Sequence, residues 1–149
     1  MSSSPPESAA ELKTRALRLL ARREHSRDEL ARKLSPHAES REALETVLDF
    51  LVTKKFLSNE RFAEVRAHWL ARKYGAAKVR QDLKAKGVEN ELVERISAEG
   101  ELERAQAILA RKYRVPAATR EERARRARFL QGRGFSGDVI RRLVLHKEE

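Results

Sequence analysis

Apolar positions recur along this chain every three or four residues, in short runs broken by polar turns. Leu12, Ala16, Leu19 and Leu20 predict a helix that begins at Glu7 or Ala9 and ends at Arg23. Ser26 stands three residues before Glu29, a capping box that opens a short helix through Leu34, with Leu30 and Leu34 facing inward. Ser35-Pro36-His37 stops that helix, and Leu44, Val47, Leu48 and Leu51 mark a third from Arg41 to Thr53. Phe56 and Leu57 are expected to anchor the following connection. Ser58 or Asn59 then caps a helix whose apolar face is Phe62, Val65, Trp69 and Leu70, ending near Tyr74 and Gly75. Val79 and Leu83 belong to the next helix, ended by Gly87, and Leu92, Val93 and Ile96 to the one after. Leu102, Ala105, Ile108 and Leu109 open a last group that Tyr113 closes. Thr119 and Glu122 predict another capping box before a helix carrying Ala124, Ala127, Phe129 and Leu130. Gly132-Arg133-Gly134 breaks it, and Ser136 caps a final helix through about His146. The pattern gives about nine helices in three groups, with no period-two alternation that would make a strand.

The groups repeat one another. Leu20-Ala21-Arg22-Arg23, Leu70-Ala71-Arg72-Lys73 and Leu109-Ala110-Arg111-Lys112 each close an apolar run. A shift of 47 residues carries Leu83, Gly87, Leu92, Val93 and Ile96 onto Leu130, Gly134, Val139, Ile140 and Leu143. Self-similarity of this kind is the signature of stacked helical units. The expected fold is therefore all-α, an elongated or bent body of three tandem three-helix repeats. The boundaries read as a disordered tail over 1–8 and repeats over 9–57, 58–98 and 99–149. Each short helix is too brief to stand alone and must be held by packing within its repeat.

Composition adds a partner class. Aromatic residues make up only 5% of the 149 residues, so the core must be built from Leu, Val, Ile and Ala. Charged residues reach 38% and the net charge is +10, which points to a polyanionic partner. With no Cys there is no disulfide framework and no thiolate zinc site. No apolar run approaches 18 residues, so no helix is expected to cross a membrane. The first residues lack the basic and apolar regions of a secretion signal, and a cytoplasmic location is expected.

Catalytic chemistry finds little support. His25, His37, His68 and His146 are scattered without metal-ligand spacing; His25 and His37 read as turn and loop residues and His68 as helix surface. Acidic residues alternate with Arg and Lys as solvated helix faces do. No phosphate-binding glycine loop is present, so neither enzyme activity nor a cofactor or metal is expected. The basic segments carry more. Residues 120–142 hold eight basic residues against three acidic ones. The middle repeat supplies Arg72, Lys73, Lys78, Arg80, Lys84 and Lys86. Such faces bind phosphate by position, with little base specificity. Trp69, Tyr74 and Tyr113 could stack on bases, but their place at the end of apolar stripes favours core packing, for Trp69 above all.

Four phrases, in order, resemble the signatures of the bacterial RecX regulatory proteins: Arg22 through Leu34, Phe56 through Ala63, Tyr74 through Val88, and Arg125 through Phe135 with Val139-Ile140-Arg141. The likeness spans residues 12–145. It departs where Ser35-Pro36-His37-Ala38-Glu39-Ser40 replaces a glycine-containing turn, and where Ala76-Ala77 follows Gly75. The resemblance implies a curved array of three-helix repeats that lodges in the groove of the RecA filament on single-stranded DNA. It thereby implies inhibition of strand exchange, ATP hydrolysis and coprotease action, within DNA repair, recombination and the SOS response. Direct, non-specific DNA binding and a monomeric state go with it. The contact residues expected are Arg72, Lys78, Arg80, Lys84 and Lys86 in the middle repeat and Arg126, Arg128, Arg133 and Arg142 in the last. The alternative is a stand-alone helical DNA-binding protein acting through its basic faces.

Overall fold

A computed structural model describes residues 5–145. Among them every regular element is helical. They are α1 (Ala9–Arg22), α2 (Arg27–Leu34), a 3-10 turn (Ser35–His37), α3 (Arg41–Thr53), α4 (Asn59–Leu70), α5 (Ala76–Ala85), α6 (Asn90–Glu94), α7 (Glu101–Lys112), α8 (Arg120–Gly132) and α9 (Gly137–Ile140). A π-helical turn, Arg141–Leu145, continues α9. The expected all-α repeat of three-helix groups is what forms. His146, and Met1 to Ser4 of the expected tail, lie outside the described residues.

Hydroxyl caps set most helix starts. Ser8, Ser26, Ser40, Thr119 and Ser136 each accept a hydrogen bond from the amide three residues on. Ser58 does the same for Arg61 at 3.1 Å, so it, and not Asn59, caps α4. The Ser26–Glu29 box closes in both directions. The Thr119 box is shifted: the Glu122 carboxylate reaches the Ala118 amide at 2.7 Å, which holds its pKa below the usual carboxylate value.

The chain divides into two compact units that cut across the middle repeat. The first comprises residues 1–65 with 83–92, the second 66–82 with 93–149. The first unit's core is Leu12, Ala16, Leu30, Leu34, Leu44, Val47, Leu48, Leu51 and Leu57. The second unit's core gathers Ala105, Ile108, Leu130, Phe135, Val139, Ile140 and Val144.

Inside each unit the same joint recurs. In the first, Gly87 (φ +80°) turns the chain after α5 and lies against Asp28, at the start of α2. The Ser26 hydroxyl donates to the Lys86 carbonyl at 2.7 Å, and Asn59 accepts from the Arg27 amide at 2.8 Å. In the second, Gly134 (φ +87°) turns the chain after α8 and lies against Lys78, in the first turn of α5. Here the Gly75 amide donates to the Arg133 carbonyl at 2.7 Å, and the buried Glu101 accepts from the Ala76 amide at 3.1 Å. A β-carbon on Gly75 would fall 2.3 Å from the Gly134 carbonyl oxygen, so both positions require glycine. Thus a left-handed turn seats on the N-terminus of a preceding short helix, and the next long helix supplies an acceptor for that helix's first amide.

The structure corrects several expectations. His25 is not a surface turn residue. It is 1% exposed, with Nδ1 donating to the Arg23 carbonyl at 3.0 Å and Nε2 accepting from Lys33 at 2.9 Å. Burial pushes its pKa below the ordinary 6.5. Glu7 and Ser8, expected in the tail, belong to the fold: Glu7 takes the Arg15 guanidinium at 2.9 Å and Ser8 closes a capping box with Glu11. On α4 the apolar stripe was too wide to bury. Phe62 and Ala63 face inward while Val65 and Trp69, 51% and 61% exposed, face out. Successive residues advance about 100° around a helix, so a wall on the Phe62–Ala63–Leu70 side leaves Val65 and Trp69 beyond its edge. Phe56 is likewise half exposed, and Leu57 alone anchors its connection.

Two tests follow from these contacts. The Lys55 backbone holds φ +64°, the position that Gly87 and Gly134 occupy at the later turns. Lys55→Gly should raise urea-unfolding stability by about 0.5–1 kcal/mol, whereas Gly134→Ala should cost roughly 1–3 kcal/mol. For His25 the unfolded chain binds protons more readily than the folded one, so stability is complete above the ordinary 6.5 and falls as pH drops toward the depressed value. The difference in thermal midpoint between wild type and His25→Gln should therefore shrink from about pH 7.5 to about pH 5.5. A constant difference would remove His25 as the cause.

Candidate functional site

The positive charge of this protein is not spread evenly. The first unit holds 14 basic and 13 acidic residues and the second 19 and 10, so the excess belongs almost wholly to the second. The two units also treat their cations differently. In the first, Arg15 pairs with Glu7, Arg23 with Glu29, Arg27 with Glu45 and Asp49, and Arg61 with Glu24. Those ion pairs leave little field for a ligand.

In the second unit Arg66 pairs with Asp82, and Arg141 and Arg142 approach Asp138, but another group of cations lies on aromatic faces and backbone carbonyls. Tyr113 and Phe129 meet edge to face at 6.2 Å between ring centres. Lys112 lies 4.6 Å from the Phe129 ring centre and Arg126 lies 4.3 Å from that of Tyr113. Arg133 bridges Phe129 and Tyr74, at 5.0 and 5.4 Å, and Lys78 reaches Tyr74 at 5.9 Å. Three guanidiniums donate to carbonyls of the same unit: Arg126 to Val115 at 2.8 Å, Arg133 to Lys73 at 3.3 Å and Arg111 to Arg72 at 3.4 Å. Among the described residues none of Arg72, Lys78, Arg111, Lys112, Arg126 or Arg133 is paired with a carboxylate. A ring face orients a cation without neutralising it, at about 0.5–1 kcal/mol for each exposed pair. The result is a preorganised cationic surface with its charge unspent, suited to phosphate or another polyanion.

The residues expected at the site do not all come together there. Arg72, Lys78, Arg126 and Arg133 join the aromatic network. Arg128 is exposed on α8, and Arg142 lies 3.6 Å from Asp138 in an exposed ion pair. Arg80 is half-buried and donates to the Ile96 carbonyl at 2.7 Å, a tie within the fold. Lys84 and Lys86 fall in the first compact unit, and the Lys86 carbonyl accepts the Ser26 hydroxyl. Arg111, Lys112 and Phe129 were missed. The signal for Arg111 and Lys112 is the exact repetition of Leu-Ala-Arg-Lys-Tyr at 70–74 and 109–113, whereas Phe129 lies outside it. In the first repeat Glu24 stands where those copies place Tyr, and Arg23 is neutralised by Glu29. An open groove of about 690 Å³ in the first unit has its Arg27 and Arg61 already paired, and no group of His, Asp and Glu among the described residues could hold a metal.

Three family models match the chain in order: the first three-helix domain of RecX over residues 13–51, the second over 58–95 and the third over 99–144. The regulatory protein RecX of Herbaspirillum seropedicae is 45% identical over 139 residues, covering 91% of this chain and 90% of its own. That of Ralstonia nicotianae is 43% identical, covering 93% and 89%. Among solved structures, RecX from Lactobacillus salivarius superposes with a TM-score of 0.79 at 18% identity, covering 92% of this chain and 94% of that one. A second RecX crystal structure gives 0.78 at 20% identity, covering 93% and 73%.

The placement of unspent charge makes one direct test. Lys112→Glu with Arg126→Glu should sharply lower the salt needed to elute the protein from a heparin column. Arg32→Glu with Lys54→Glu, an equal change of net charge in the first unit, should lower it much less. Thermal unfolding should register no more than about 1 kcal/mol per residue for either pair.

Proposed function

The chain belongs to the RecX family of regulatory proteins, and on that premise we propose that it inhibits the RecA recombinase by binding the RecA filament on single-stranded DNA. RecX-family proteins are regulators and not enzymes, so the action is one of binding. In this reading the protein acts in the cytoplasm as a monomer, occupies the filament groove, and limits strand exchange, ATP hydrolysis and coprotease activity together. The observation that supports it most is the unneutralised cationic surface of the second unit, built on two copies of one pentapeptide. A nucleoprotein filament presents both repeated protein surface and phosphate. Fields of this sign accelerate its encounter with a cationic ligand, most at low salt.

Following RecA ATPase on single-stranded DNA as the protein is added makes the test. Turnover should fall with added wild type, and the Lys112→Glu, Arg126→Glu protein should need about tenfold more to reach the same inhibition. Turnover that stays constant while the protein binds naked duplex would favour the other reading, a DNA-binding protein acting alone.

A further inference from the structure

Trp69 is the chain's single tryptophan, and it lies 61% exposed in the last turn of α4. We propose that Trp69 and Arg72 form a stacking platform for unpaired bases of a single-stranded nucleic acid, a site that operates without any protein partner.

The backbone that carries the indole is fixed before a ligand arrives. The indole projects from a helix whose end is closed by the Ala71, Lys73 and Tyr74 amides bonding to Ala67, Leu70 and Leu70 carbonyls at 2.9–3.0 Å. The next turn is clamped from outside, because Arg111 and Arg133 donate to the Arg72 and Lys73 carbonyls. The Arg72 guanidinium lies over the indole at 5.2 Å, so a base added to the stack meets an aromatic plane with a cation already in place. Arg72, Arg111 and Arg133 are without carboxylate partners among the described residues, and the last two sit on the carbonyls of Arg72 and Lys73, just past the indole in the chain.

The cation over the indole favours nucleic acid over a protein pocket. Of the large apolar side chains exposed among the described residues, Leu17, Val52, Phe56 and Val65 belong to the first unit. Only Trp69 and Val115 belong to the second. Val65 is exposed one turn earlier on the same helix, so the apolar surface here is a narrow Val65–Trp69 pair, and the Arg72 guanidinium over the indole adds the cation that a base stack favours. Base faces inside a duplex are covered by their neighbours, so the platform discriminates in favour of single strands.

The sole tryptophan is its own probe. The full-length protein is titrated, without RecA, with an oligodeoxythymidylate, with an abasic strand of equal length, and with a duplex, while indole emission is followed. The oligodeoxythymidylate should quench the emission, and the abasic strand and the duplex should not. Read by the anisotropy of a fluorescein-labelled strand, because the variant has no tryptophan, Trp69→Ala should weaken oligodeoxythymidylate binding about fivefold to a hundredfold, leave abasic-strand binding unchanged and keep the thermal midpoint. Bound oligodeoxythymidylate with unquenched emission, or equal loss of both ligands in the variant, would overturn the platform. A blue shift on adding RecA alone, with no quenching by nucleic acid, would equally overturn it and make the indole a protein anchor. None of the nucleic-acid titrations contains RecA, so a negative result there leaves the proposed inhibition standing.

Discussion

One joint carries most of the architecture: a left-handed turn pressed onto the N-terminus of a short helix from the preceding repeat. At Gly134 the contact is with backbone, the Lys78 amide nitrogen lying 2.6 Å from where a β-carbon would be. At Gly87 the neighbour is the Asp28 side chain. Helices of eight and ten residues, α2 and α5, have little stability of their own, and four free amides at each start would be a further cost. The joint meets both problems at once, since it buries the helix start and supplies acceptors for its amides. Glu101 illustrates the compromise. Gly75 has no side chain to cap α5, so a carboxyl group from α7 is brought in and buried against the Ala76 amide.

That joint also explains where the cations of the second unit come to rest. Seating Gly134 on Lys78 brings the end of α8 to the start of α5, and Arg133 is thereby placed over Tyr74 as well as Phe129. The equivalent joint in the first unit brings Lys86 to Ser26, a residue without a ring. What differs is the neighbourhood, for Glu24, Glu29, Glu45 and Asp49 absorb the first unit's guanidiniums. One backbone device thus gives a neutral scaffold in one copy and a field-bearing surface in the other. The distinction resides in which residue follows the Leu-Ala-Arg-Lys phrase.

Much of this was legible in the chain. Period and caps located the nine α-helices found among the described residues, because Ser26, Thr119, Ser136, Gly87 and Gly134 act through bonds a few residues long. What escaped depended on contacts distant in sequence. His25 looked like a turn residue because its burial is imposed by the chain around it. The wide stripe of α4 gave no indication of which half would meet a wall, and Trp69 was lost to the core for that reason. Arg80 counted as a surface cation until the Ile96 carbonyl was found beside it. The basic surface was legible as composition but not as geometry, since an Arg over a ring and an Arg beside a carboxylate are written with the same letter.

The neutral unit is not idle in this arrangement. Its ion pairs at Arg27 and Arg61 hold the start of α2 and the turn of α4, and Arg27 bonds two carboxylates of α3 at 2.7 Å. Half-exposed surface pairs contribute little energy each, so their main effect is on the field: they cancel charge locally. Burial of Glu29 works against its ionisation, and the bonds from Arg23 and Ser26 outweigh that and keep it charged. With 14 basic against 13 acidic residues the first unit is close to neutral, so the excess positive charge stays with the second. Exposed Val52, Phe56 and Val65 stand on the near-neutral unit, with the exposed Lys54 and Lys55 between the first two. Uneven charge between the units means that the field of one can be altered by substitution without breaking the ion pairs that hold the other.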